Sequence, residues 1–360
     1  MFHYRNRSFL VIVFILLIIG VLAIYSASSI WADLKFTDAF YYMKRQLLFA
    51  CIGVVVMYIV SYYDISKLRK YGYLFYVFCI FLMVLVLLPG IGSERNGSMS
   101  WFKVGPILFQ PSEFLKLALI MVVSDKLSKK RRIKKLKDIF DVLCLCALSF
   151  GLIMLQPDFG SGVVMISSIV IMVIVAGIPM KYFVYGVIIG SIGIVFLIVS
   201  APYRLSRILA FIDPFSDPLG AGFQSIQALY AIAPGGIMGM GFQNSMQKQF
   251  YLPEPHTDFI FAIIAEEMGF FGGGLVVIVF GLLFKEGLCI IKNVNDMYLK
   301  YIVIGIMALF IIQVIINLCV VVGLFPITGV TLPFISYGGS SLVLMMLCMG
   351  VIMSINRKSL

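Results

Sequence analysis

Long apolar runs recur along this chain, separated by short polar stretches. They fall at 8–28, 46–63, 71–89, 108–126, 139–156, 162–178, 182–200, 260–284, 300–323 and 336–354. A helix of roughly 20 apolar residues crosses a bilayer, and each run is near that length. The pattern predicts an all-α integral membrane protein, a bundle of about ten transmembrane helices. A large extracytoplasmic loop, about 201–259, separates the seventh and eighth spans, and residues 1–360 form a single membrane domain. The first run follows His3, Arg5 and Arg7 and precedes no clear small-residue cleavage site, so it reads as a retained helix rather than a signal peptide.

Composition supports lipid as the solvent. The chain is 61% hydrophobic and 12% charged, with mean hydropathy +1.05, whereas a soluble domain is roughly a quarter charged. The net charge of +11 sits mainly in every second connection. Arg5 and Arg7 precede the first span, and Lys67, Arg69 and Lys70 follow the second. Lys126, Lys129, Lys130, Arg131, Arg132, Lys134, Lys135 and Lys137 follow the fourth, and Lys181 follows the sixth. Lys285, Lys292 and Lys300 follow the eighth, and Arg357 and Lys358 end the chain. Such an excess marks the cytoplasm, so both termini are expected there. The 126–137 run reads as a loop near anionic headgroups, not as a nucleic-acid patch. The seven cysteines lie in or beside apolar runs without metal-ligand spacing and read as small apolar residues.

The alternate connections carry the varied chemistry. The 90–107 stretch holds Glu94, Arg95, Asn96 and Trp101. The long loop holds Arg204, Arg207, Asp213, Asp217, Gln224, Gln227, Lys248, Glu254, His256 and Asp258. Its apolar stretch from Phe223 to Ile232 and its glycine-rich stretch from Gly235 to Gly241 suggest re-entrant or interfacial helices. Glu113 and Lys116 are three apart in the fourth span, and either pair structurally or serve a cavity. Glu266 and Glu267 read as structural. Asp158 follows a proline at the outer end of the fifth span. In YLPEPHTDFIF, Glu254, His256 and Asp258 are gathered between prolines. Thr257 or Asp258 as a helix cap is the plain reading; a carboxylate poised as general base is the functional one. Arg204 and Arg207 are interface anchors or a phosphate clamp.

Six stretches carry a resemblance to a known family: RNGSMSWFKVG (95–105), FQPSEFLKL (109–117), LQPDFGSG (155–162), YRLSRILAFIDPFSDPLGAGFQSIQAL (203–229), FYLPEPHTDFIFAIIAEEMGF (250–270) and GLFPITGVTLPFISYGGSS (323–341). Together and in this order they resemble the SEDS peptidoglycan polymerases, the group of FtsW, RodA and SpoVE, over nearly the whole chain. The details of YRLSRILAF and SMQKQFYLPEP are closer to FtsW and SpoVE. Two departures stand out: Gln243 replaces a glycine of GxGLGxS, and Phe215 stands where DPW is common.

The resemblance implies ten spans and glycosyltransfer from lipid II, a disaccharide-pentapeptide on undecaprenyl pyrophosphate, during cell division or sporulation. It implies that Asp258 is the essential aspartate and that Lys116, Asp158, Arg204, Arg207, Gln224, Lys248, Glu254 and His256 hold substrate. Asp258 would deprotonate the acceptor hydroxyl, while Arg204, Arg207, Lys116 and Lys248 would steady the leaving pyrophosphate, with or without a divalent cation such as Mg or Mn. Expected partners are a class B penicillin-binding transpeptidase and other divisome or elongation proteins; no nucleic acid is expected. The rival readings are a lipid II flippase and a non-enzymatic scaffold. A flippase would line a path through the bilayer with charge, but here the charge gathers at the outer end.

Overall fold

A computed structural model describes residues 4–358 apart from positions 96, 106, 131–132 and 200. His3, Asn96, Arg131 and Arg132, named above, therefore lie outside the described residues. The described helices are α1 (Tyr4–Phe36), α2 (Tyr41–Tyr62), α3 (Gly72–Leu85), α4 (Pro111–Ser128), α5 (Phe140–Leu155), α6 (Phe159–Val175), α7 (Met180–Val199), α8 (Pro202–Ile212), α9 (Phe223–Gly235), α10 (Ile260–Asn293), α11 (Met297–Val321) and α12 (Gly339–Lys358). The ten apolar runs map onto α1–α7 and α10–α12. Eight of these are long and apolar enough to cross a membrane, α3 and α5 together with the turns before them. Of the other two, α6 is 17 residues long and α4 carries Glu113, Lys116, Asp125 and Lys126. The chain is a multi-pass membrane protein, and α8 and α9 form the loop between the seventh and eighth spans.

Local chemistry sets several helix starts. Pro111 begins α4, where its missing N–H costs nothing. The Asp158 carboxylate accepts the Ser161 N–H at the start of α6, and the Asp296 carboxylate accepts the N–H groups of Tyr298 and Leu299 at the start of α11. The core is built on α11, α12, α4 and the first half of α10, with α12 lying along α2 and α11 against α4 and α6. By contrast, α7 buries none of its residues, so its apolar surface is matched to lipid.

The connection before α4 is not irregular. It is an antiparallel meander of β1 (Gly92–Arg95), β2 (Ser98–Val104) and β3 (Ile107–Phe109), in spatial order β1-β2-β3. Gly92 faces Phe102, and Phe102 faces Phe109. Ser98 donates to the Gln156 carbonyl at the end of α5, and Ser340 at the start of α12 donates to the Leu108 carbonyl. The meander is thereby fastened to the same end of the bundle as the long loop.

The break in α10 is the second departure from a plain bundle. Gly269 has φ 64° and ψ −160°, a backbone state open to glycine alone. The freed carbonyls of Glu266 and Glu267 accept the N–H groups of Met240 and Gly241, both at 2.9 Å. A Cβ on Gly269 would come within 2.4 Å of the Gly239 nitrogen. The glycine-rich stretch of the outer loop thus inserts its backbone into the helix break, which satisfies polar groups that lipid could not.

Candidate active site on the outer loops

The segment before α10 presents Asp258. The N-cap of that helix is Phe259, and no side chain caps it. The capping reading of Thr257 and Asp258 therefore falls. Instead, three successive carbonyls anchor the segment. The His256 oxygen accepts the Tyr337 N–H at 2.9 Å. The Thr257 oxygen accepts the Ser336 hydroxyl at 2.6 Å, and the Asp258 oxygen accepts the Asn317 amide at 2.8 Å. The same Asn317 nitrogen donates to the Val330 oxygen at 2.7 Å, and Gln313 one turn away donates to the Thr331 oxygen at 3.2 Å. Asn317 on α11 therefore holds the 251–259 and 326–337 segments side by side, and Gln313 adds a second hold on the latter. Gln46 of α2 adds a bond to the Ser336 oxygen.

The anchoring uses the backbone and leaves the Asp258 side chain out. Among the described residues no hydrogen bond engages its carboxylate. Asp258 is half-buried, and loss of water pushes its pKa up to about 6, helped by the negative charges of Glu254 and Asp158 and opposed by Arg207. That value keeps the carboxylate ionised at neutral pH but basic enough to take a proton. A Cβ on Gly329, whose φ is +73°, would lie 3.7 Å from the Asp258 Oδ2, so the 326–337 loop passes directly beside the carboxylate.

The other sequence-derived residues divide into two groups. Arg207, Asp158 and Glu254 surround Asp258 electrostatically. Arg207, on α8, donates to the Ile327 oxygen at 3.2 Å and remains exposed. Arg204, one turn earlier, donates to the Leu197 oxygen and the Tyr203 hydroxyl, both at 3.0 Å. Asp158 accepts from Gln110 at 3.0 Å while capping α6. Glu254 is exposed on a left-handed turn with φ 44°. Gln224 lies half-buried near the start of α9.

The second group has interior roles. Lys116 pairs with Glu113 at 2.7 Å and Lys248 pairs with Glu267 at 2.9 Å, all four side chains being nearly sealed from solvent. Neither ammonium is free for a leaving group, because each is buried against a carboxylate whose charge it offsets. His256 is packed between Tyr42 and Tyr337, with ring centroids 4.3 and 5.6 Å away. Burial pushes its imidazole down to about 4, so it is neutral at physiological pH. It supports the loop that carries Asp258.

Asn317, Gln313, Ser336 and Gln110 were missed by sequence reasoning. Asn317 and Gln313 did leave a signal: two amides four residues apart on one face of an otherwise apolar helix. Among the described residues no three His, Cys, Asp or Glu side chains are grouped to hold a metal ion.

Comparison with known proteins bears on the chain as a whole. The family model for cell cycle proteins of the FtsW, RodA and SpoVE group matches residues 6–360. The chain is 49% identical over 351 residues to stage V sporulation protein E of Bacillus subtilis (strain 168), covering 97% of this chain and 96% of that protein. It is 38% identical over 339 residues to a probable peptidoglycan glycosyltransferase FtsW of Trichlorobacter lovleyi, covering 94% and 89%. A chain from a structure described as the coordination of polymerization and crosslinking by a peptidoglycan synthase complex superposes with TM-score 0.80 at 30% identity, covering 97% of both chains. The rod shape determining protein RodA of Thermus thermophilus superposes with TM-score 0.72 at 25% identity, covering 97% of this chain and 96% of that one.

Proposed function

This chain belongs to the family of cell cycle proteins that groups FtsW, RodA and SpoVE, and from that premise we propose that Asp258 is the base with which it polymerises lipid II. The protein is a peptidoglycan glycosyltransferase, like the relatives that carry that name. The observation that carries the assignment is the anchored 256–258 backbone, which leaves the Asp258 carboxylate unengaged and raised to about 6.

In the proposed step Asp258 takes the proton of the 4-hydroxyl of the acceptor GlcNAc. The oxygen forms a bond to C1 of the donor MurNAc, and the bond from C1 to the pyrophosphate oxygen breaks. Configuration at C1 inverts, and undecaprenyl pyrophosphate leaves with the electron pair. Negative charge on the departing diphosphate calls for fixed cations. Arg204 and Arg207 suit this role, since a guanidinium fork binds phosphate bidentately and both groups lie on the loop side. A divalent cation brought by the diphosphate would be held by its oxygens with one or two carboxylates, for which Asp158 and Glu254 lie near Asp258.

A lipid-linked donor suits the site: its chain stays among lipids while its sugars reach the loops. The site then faces outward from a bacterial cytoplasmic membrane with both termini inside, an orientation that the basic connections support. A class B penicillin-binding transpeptidase is the proposed partner, which would crosslink the strands made here in cell division or sporulation. The test is polymerisation of lipid II by the purified protein, with and without that transpeptidase. Replacing Asp258 by Ala should abolish polymer; normal polymer from that variant would refute the assignment.

A further inference from the structure

The most unusual cluster outside the Asp258 site lies where the outer loop meets the break in α10. Ser26, Ser245, Lys248, Glu266 and Glu267 are all at most 4% exposed. Glu266 accepts the Ser245 hydroxyl at 2.5 Å and the Met246 N–H at 2.7 Å. Glu267 accepts the Lys248 ammonium at 2.9 Å and the Ser26 hydroxyl of α1 at 2.6 Å. The carbonyls of the same two glutamates accept the N–H groups of Met240 and Gly241. Two consecutive residues therefore grip the outer loop through side chains and backbone at once, beside a glycine that ends the helical ladder.

The chain then runs from Lys248 to Asp258. Within that interval the Leu252 N–H bonds to the Gln247 oxygen at 2.9 Å, and Leu252 is fully buried. We propose that Lys248 is a positioning residue: its pairing with Glu267 and Ser26 sets where the 251–259 segment sits and so where the Asp258 carboxylate is held. The proposal rests on Asp258 being the base. It removes Lys248 from the set of groups that touch the donor's pyrophosphate. A buried carboxylate deprived of its partner ammonium is costly, whereas removing both partners is far less so. Rescue by a second substitution therefore separates the two roles.

The experiment uses the purified full-length chain in lipid nanodiscs with lipid II as substrate. Lys248→Met should lower kcat by about 100-fold, the scale expected when a catalytic group shifts by about 1 Å, with KM nearly unchanged. Adding Glu267→Gln should restore about tenfold of that loss, as the unpaired charge disappears. Failure of the double variant to recover, or a rise in KM with kcat preserved, would overturn the proposal and make Lys248 a substrate ligand. If the lysine variant does not fold, Lys248→Arg decides. A phosphate ligand tolerates arginine, but a sealed site shaped for one ammonium does not, so a loss of kcat supports positioning and full activity overturns it. Asp258→Asn is assayed alongside. Activity there would sink the base assignment while leaving the rescue result to be read on its own.

Discussion

Ionised Asp258 carries a stability cost that a single substitution should expose. Its pKa in the folded chain is about 6, against an ordinary value of 3.8. Below 3.8 the acid is protonated in both folded and unfolded chains. As pH rises toward 6 the unfolded chain gives up the proton first, so stability falls; above about 6 the loss is complete. The gap is about 2 units, and each is about 1.4 kcal/mol. Allowing for partial exposure, the cost at pH 8 is about 2 kcal/mol. Asp258→Asn keeps the shape without the charge and should recover this amount. Thermal or denaturant unfolding of both proteins in the same nanodiscs, at pH 4 and pH 8, checks it. The variant should be the more stable at pH 8, and the difference should shrink at pH 4. A difference independent of pH, or a variant less stable at pH 8, would show that Asp258 has no raised pKa and that the reasoning fails.

Asn317→Ala removes both bonds that tie Asp258 to Val330, at a cost of about 1–3 kcal/mol; a lower melting temperature and a reduced kcat are expected. Arg207→Lys keeps charge but loses the fork, and should lower kcat by about tenfold, with Arg207→Ala falling further; steady-state kinetics on lipid II checks both. Gly269→Ala forces a side chain into a left-handed backbone and against the Gly239 nitrogen, so the yield of monodisperse protein in size-exclusion chromatography should drop sharply. Gln243 has φ 66°, a left-handed backbone state that burdens any residue carrying a Cβ. Gln243→Gly should therefore raise stability by about 1 kcal/mol in an unfolding titration.

The membrane architecture was legible in the sequence because one signal, the length of apolar runs, dominates it. Span boundaries shifted where polar residues continue a helix beyond the hydrocarbon. The run read as 8–28 belongs to a helix from Tyr4 to Phe36, and the run read as 260–284 to one ending at Asn293. The break at Gly269 was hidden because its glycine lies inside an apolar run, and only the inserted 235–241 backbone reveals what it is for. The β meander was hidden for a different reason. Its strands span four, seven and three residues, too short for a clear alternation. The signals it does leave are the turn pairs Asn96-Gly97 and Gly105-Pro106 in the sequence, and both glycines have positive φ.

The site was legible in part. Asp258, Glu254 and the two arginines stood out because polar chemistry concentrated in an outer loop is unusual in so apolar a chain. Lys116 and Lys248 stood out for the same reason, yet they are interior ion pairs. Pairing of Lys248 with Glu267 depends on how the loop folds back onto the break in α10, which no local pattern encodes. Likewise Asn317 touches Asp258 through its backbone, 59 positions away in the chain. Such long-range polar contacts follow from tertiary packing rather than from any residue-level propensity.

The central claim is that Asp258 serves as the proton acceptor, and a pH profile of lipid II polymerisation by the purified protein tests it most directly. kcat/KM should rise about tenfold per pH unit below about 6 and level off above it, and Asp258→Ala should form no polymer at any pH. A profile with no inflection near pH 6, or polymer made by Asp258→Ala at the normal rate, would contradict it.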